Sequence, residues 1–77
     1  CITSKIYKWY EQIHKIDLIA EYESQDKLQD CLTQITILKK EIKQETKVPL
    51  SYMGEYYDLI MHLELIISKI NTKLSNN

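Results

Sequence analysis

Glycine and proline are almost absent from this chain, and no other feature restricts its fold as strongly. Neither residue type occurs before Pro49, and Gly54 is the only other example in 77 residues. A chain of many strands needs frequent turns, in which glycine and proline are common, so the shortage excludes such folds. The apolar content of 44% is also too high for intrinsic disorder. We therefore predict an all-α protein.

Length and charge restrict both the size of the fold and its partners. A chain of 77 residues has room for one hydrophobic core, so we expect a single domain over residues 1–77. The formal charge is −1 and every basic residue is lysine, which makes nucleic acid an unsuitable partner. The apolar stretch Leu65–Ile67, as long as any in the chain, is far shorter than the roughly 18 residues of a membrane span. We expect no membrane span.

Apolar residues recurring every three or four positions predict a first helix over residues 3–22. Its buried face is formed by Ile2, Ile6, Trp9, Ile13, Ile16 and Ala20. Continuing this spacing would bury Glu23 and Lys27, so we predict a break near residues 23–25, with Ser24 capping the next helix. Because no glycine or proline marks that break, a continuous first helix of about 40 residues is the alternative.

Two further helices follow, over residues 25–46 and 51–74. The second has an apolar arc of Leu28, Cys31, Leu32, Ile35, Leu38 and Ile42, and Pro49 ends it. Ser51 is the expected cap of the third, whose apolar residues repeat by three and four as Met53, Tyr56, Ile60, Leu63, Ile67, Ile70 and Leu74. Its main face also holds Tyr52, Leu59 and Ile66. Similar helix lengths favour an up-down-up three-helix bundle. A long helical hairpin is the alternative if the first two helices are continuous.

The centres of the three apolar arcs predict one shared core. We expect it to contain Ile13, Ile16, Leu32, Ile35, Ile60, Leu63 and Ile67. Apolar residues outside these arcs exceed what so small a core can bury. Tyr57, Met61 and Leu65 recur every four residues on the far side of the third helix, and Tyr7, Leu18 and Tyr22 lie outside the arc of the first. Rows rich in tyrosine and methionine are typical of protein interfaces, so these residues are predicted to bind a partner.

Residues with catalytic or metal-binding chemistry are few. Glu11 and His14, and likewise Asp58 and His62, are each one helical turn apart, but a di-metal site needs two Glu-x-x-His motifs and further carboxylates. There is no CxxC pair, phosphate-binding loop or nucleophile with an adjacent base. We expect a protein without enzymatic activity, cofactor or metal.

The cysteines bear on the cellular compartment. Cys1 and Cys31 are expected at opposite ends of the bundle, too far apart for a disulfide, so a reducing compartment and a cytoplasmic location are the default. An acylated Cys1, as in a bacterial lipoprotein, is an alternative that would make the chain a lipid-anchored surface protein.

One part of the chain runs from residues 37–42 through a short break into a tyrosine-bearing apolar helix that includes residues 65–70. This arrangement resembles the small helical-hairpin co-chaperones of bacterial type III secretion needles. The similarity covers about residues 28–70, and the additional first helix departs from the shortest members. In that family the hairpin joins a larger helical-repeat partner and helps to keep the needle subunit from polymerising. The resemblance implies that contacts would be made by Tyr56, Tyr57, Ile60, Met61 and Leu65.

Together these features predict a non-enzymatic protein interaction module, such as a small chaperone or assembly adaptor. The alternatives are a structural homo-oligomer that completes a helical bundle and the lipid-anchored surface protein. The expected partner is another protein or a second copy of the chain.

Overall fold

Three α-helices make up most of the described chain, which confirms the all-α prediction. The computed structural model describes residues 2–45 and 47–76, with side chains from Ser4 onward. In this part of the chain, the helices are α1 (Ile2–Tyr22), α2 (Gln25–Lys43) and α3 (Met53–Ser75), and a short 3-10 helix (Leu50–Tyr52) leads into α3. The predictions made for Cys1, for the side chain of Ile2 and for a helix end at residue 46 lie outside the described residues.

The first two helices are separate. α1 ends at Tyr22 and α2 begins at Gln25, so the alternative with a continuous first helix is wrong. Ser24 occupies the N-cap position with extended backbone angles (φ −72°, ψ 170°), but its hydroxyl makes no capping hydrogen bond. The backbone carbonyl of Ser24 instead accepts the first helical bond from the Leu28 amide at 3.0 Å. The break turns the chain before Glu23 and Lys27 would have to enter the core.

The connection between α2 and α3 is longer than the sequence predicts. α2 ends at Lys43 and α3 begins at Met53, two residues after the expected cap. The Tyr52 amide donates to the Pro49 carbonyl at 2.9 Å, which closes a 3-10 turn over Leu50–Tyr52. Ser51 therefore lies inside this turn and cannot cap α3, so its predicted capping role is wrong.

Contacts between helix ends define an up-down-up bundle. Near the start of α1, Lys5 contacts Glu45 just after α2 at 2.9 Å, so α1 and α2 are antiparallel. Gln25 at the start of α2 donates to the Lys73 carbonyl near the end of α3 at 2.9 Å, so α2 and α3 are also antiparallel. Lys73 Nζ in turn donates to the Ala20 carbonyl near the end of α1 at 3.0 Å.

The core lies along the bundle axis and receives side chains from all three α-helices. Its buried residues are Ile6, Trp9, Ile13, Ile16, Ala20, Leu28, Cys31, Ile35, Leu38, Ile42, Leu59, Leu63, Ile66 and Ile70. The predicted core residues Leu32, Ile60 and Ile67 are only half-buried and pack against its edge. The buried residues of α3 all lie on its predicted main face, but the centre of that face is at Leu59, Leu63 and Ile66 because α3 contacts both α1 and α2.

The bundle is elongated, with extents of 42 × 17 × 16 Å. The long dimension exceeds the length of α3, whose 23 residues span about 35 Å at about 1.5 Å per residue. Within residues 2–45 and 47–76, none of the helices combines the length and apolar character that a membrane crossing requires.

Candidate interaction surface

The outer side of α3 carries a row of exposed apolar side chains. Tyr57, Met61 and Leu65 are 60%, 64% and 68% exposed, and we refer to these three residues as the α3 row. Because successive members are four residues apart, they lie one above another along the helix. The buried residues of the same helix, Leu59, Leu63, Ile66 and Ile70, lie on the opposite side. The α3 row therefore takes no part in closing the core.

Ion pairs lie along both sides of the α3 row. Toward α2, Lys39 Nζ approaches Glu64 Oε1 at 2.8 Å, and this contact lowers the pKa of the Glu64 carboxyl. Toward α1, Lys69 lies 2.9 Å from Asp17 and 3.2 Å from Glu21, and hydrogen bonds to these two carboxylates raise the pKa of Lys69. The row is thus an apolar strip bordered by charged groups, as in the polar rim of an interface.

Tyr56 differs from the α3 row in its surroundings. Its side chain is half-buried, and its hydroxyl donates to the Ile42 carbonyl at 2.8 Å. Burial, followed by the negative charge of Glu45, raises the pKa of this phenol. The rings of Tyr56 and Tyr57 meet edge to face with 5.9 Å between centroids. Tyr56 therefore joins α2 to α3, and its ring contacts that of Tyr57, the first member of the row.

The candidate residues on α1 do not join the α3 row. Tyr7, Leu18 and Tyr22 are 69%, 50% and 84% exposed, on the side of α1 opposite its buried residues. Tyr7 and Leu18 are eleven positions apart, about 16 Å along the helix, and the exposed Glu11 and His14 lie between them. The ion pairs of Lys69 separate this set from the α3 row. The predicted binding residues thus occupy two surfaces.

Sequence reasoning missed a second apolar surface between α1 and α2. Ile37 is 63% exposed and lines an open groove of about 320 Å³ together with Ile16 and Leu38. The polar side of this groove is formed by Gln12, Lys15, Gln34 and Glu41. Ile37 is the one apolar residue of α2 outside its main arc, which is the signal that would have located the groove.

The residues considered for chemistry do not converge. Glu11, His14, Asp58 and His62 are all exposed. Among the described residues, no group of three or more histidine, cysteine, aspartate or glutamate side chains is close enough to hold a metal ion. Cys31 is buried, and burial, followed by the charges of Glu23 and Asp30, raises the pKa of its thiol. A thiol in this environment stays protonated and is a poor nucleophile.

Comparisons with family models, with curated proteins and with solved structures gave no match.

Proposed function

We propose that this chain is a non-enzymatic protein interaction module that binds its partner through the α3 row. The observation that carries the proposal is the alignment of Tyr57, Met61 and Leu65, each at least 60% exposed, on the outside of a well-packed helix. Single exposed apolar residues are common on protein surfaces, but contiguous ones mark interaction sites. Tyrosine and methionine are also enriched in interfaces.

Burying the α3 row against a partner would be favourable. Removing one large apolar side chain from water contributes about 1.5 to 3 kcal/mol. The row lies on a helix whose other side is fixed by Leu59, Leu63, Ile66 and Ile70 in the core, so its backbone is ordered before binding. A preordered surface loses less conformational entropy when a complex forms.

The arrangement of polar groups supports a binding role over a catalytic one. The α1–α2 groove is lined by Gln12, Lys15, Gln34 and Glu41 around apolar residues, without a nucleophile beside a base. Cys31, a potential nucleophile, is buried with a raised thiol pKa. The co-chaperone resemblance concerns α2 and α3, the helix pair that contains the row, and remains a prediction about the partner.

Photo-cross-linking tests the proposal in cells that produce the protein. Benzoylphenylalanine replaces Tyr57 in one variant and Tyr22, an exposed tyrosine on α1, in a matched variant. We expect light-dependent adducts of defined mass from position 57 and not from position 22. Adducts only at position 22 would assign the interface to α1, and no adduct at either position would contradict an interaction module.

A further inference from the structure

Positive charge accumulates on the side of the α3 row that faces α2. Lys39 and Lys43 both approach Glu64, with Nζ to Oε1 distances of 2.8 and 3.9 Å. One carboxylate cannot neutralise two ammonium groups, and the Lys43 side chain is 53% exposed. The hydrogen bond from Tyr56 to Ile42 places this end of α2 beside the start of α3. The Lys43 backbone therefore lies at the level of the row's first members, and its ammonium group, which shares Glu64 with Lys39, is only partly neutralised.

The side of the row that faces α1 is acidic at the same level. Tyr10 of α1 donates to the Glu55 carbonyl at 3.2 Å, and Asp58 follows Glu55 by nearly one turn on this side of α3. The pKa of Tyr10 is raised mainly by burial and further by the negative charges of Asp58 and Glu55. This is consistent with both carboxylates lying near the Tyr10 ring. Among the described residues, neither carboxylate forms an ion pair.

We infer that the α3 row pairs with the α3 row of a second copy, with the two α3 helices parallel about a two-fold axis. When the two-fold axis is parallel to α3, the side of the row nearest α2 in one copy faces the side of the row nearest α1 in the other copy. The facing groups lie at the same height along the two helices. Lys43 of each copy then lies opposite Asp58 of the other. An antiparallel pair would place the lysine sides against each other, and the like charges would oppose it.

This inference rests on the proposed function, because it names the occupant of the same surface. Each copy contributes three exposed apolar side chains, so the paired area is at the small end of protein interfaces. We therefore expect a weak, reversible dimer with a dissociation constant in the range of about 1 to 100 µM.

A charge-exchange cycle measured by sedimentation equilibrium tests the pairing. Lys43→Glu and Asp58→Lys each place like charges together at two symmetric positions, and each should weaken the dimer about tenfold. The double variant restores opposite charges and should recover the parent's dissociation constant to within about threefold. Two control variants reproduce the changes in net charge: Lys8→Glu, on the side of α1 that faces α2, and Asp30→Lys, on the side of α2 away from α3. Neither should change the dissociation constant of the dimer.

Cross-linking tests the parallel orientation. In a Cys1→Ser background, Leu65→Cys should form a disulfide-linked dimer, because a parallel pair brings the two copies of residue 65 together. In an antiparallel pair centred on Met61, the two Cα atoms would be about 12 Å apart along the axis, beyond disulfide reach. Cys31 is buried, so the Cys1→Ser parent is the control for background cross-linking.

A monomer at every concentration, or charge exchanges that the double variant fails to restore, would overturn the pairing. An isolated monomer whose position 57 still cross-links in cells to a chain of different mass would contradict the second copy while supporting the proposed function. Absence of both the dimer and the position 57 adduct would contradict both proposals.

Discussion

The hydroxyl of Tyr56 donates a hydrogen bond of 2.8 Å to the backbone carbonyl of Ile42. Ile42 belongs to the last turn of α2, whose carbonyls lack partners within the helix, and its carbonyl also accepts from the Glu45 amide at 3.1 Å. Tyr56 is on the first turn of α3. This one side chain thus joins the end of α2 to the start of α3 across a connection of several residues.

Removing the Tyr56 hydroxyl should weaken the bundle measurably. Tyr56→Phe keeps the ring but leaves the Ile42 carbonyl without this donor, so we expect a loss of about 1 kcal/mol in the free energy of unfolding. Urea denaturation followed by circular dichroism measures the change. Tyr57→Phe is the matched control, because its exposed ring makes its hydroxyl dispensable for folding. Equal free energies of unfolding for the two variants would show that this hydrogen bond does not stabilise the bundle.

The helices could be predicted from the sequence because their apolar residues recur with helical spacing over many turns. The main face of α3 could be predicted, but the residues at its centre could not, since these depend on contacts with two other helices. Ile60 and Ile67, predicted at the centre of this face, are only half-buried at the edge of the core, while Leu59 and Ile66, also on this face, are buried. The start of α3 was misplaced because Pro49 initiates a 3-10 turn that contains Ser51.

Two leucines on α3 test the rotation of this helix. Leu63 is fully buried, so Leu63→Ala should destabilise the protein by about 2 to 5 kcal/mol. Leu65, two residues later, is 68% exposed, so Leu65→Ala should change the stability by no more than about 0.5 kcal/mol. Thermal or urea denaturation at a concentration that favours the monomer gives both values. Equal losses would show that α3 is oriented differently.

The surface was harder to predict than the core. The offset of Tyr57, Met61 and Leu65 from the apolar arc of α3 is visible in the sequence, and all three are exposed. Their distance from Tyr7, Leu18 and Tyr22 depends on how the helices pack, which periodicity does not specify. The basic side of the row comes from Lys39 and Lys43 of α2, so its position depends on how the helices pack, whereas Glu55 and Asp58 of the acidic side belong to α3 itself.

We expect Lys73 to stabilise the C-terminal end of α1. Its Nζ donates to the carbonyls of Ala20 and Glu21 at 3.0 and 3.4 Å, where a cation also complements the helix dipole. Lys73→Met keeps most of the alkyl chain and removes the donor. Amides in the last turn of α1 should then exchange with solvent about two- to fivefold faster, measured by hydrogen exchange and NMR. The exposed Lys8→Met variant is the control, and unchanged exchange in Lys73→Met would contradict this role.

Acid should weaken the bundle through Glu45 and Glu64. Hydrogen bonds from Lys5 to Glu45 and from Lys39 to Glu64 lower the pKa of each carboxyl from its ordinary value of 4.5. Their stabilising contribution is complete above that value and is lost as the pH falls through the lower folded-state pKa. Thermal midpoints measured between about pH 6 and about pH 2 should therefore fall at the acidic end.

The paired variant Glu45→Gln/Glu64→Gln should reduce this acid dependence. Glu11→Gln/Glu23→Gln is the control, because both residues are exposed and neither forms an ion pair among the described residues. The same acid dependence in both double variants would show that these two ion pairs do not cause it.

Association of the Met61→Lys/Leu65→Glu double variant tests most directly whether the α3 row is an interface. Both replacements form helix well, and both positions are exposed, so the circular dichroism of the parent should be retained. We expect association with a second copy, or with the partner cross-linked from position 57, to weaken by at least about 2 kcal/mol, the scale of interface hot spots. Ile37→Lys, an exposed apolar residue away from the row, should associate like the parent. A folded double variant with unaltered association would contradict the account.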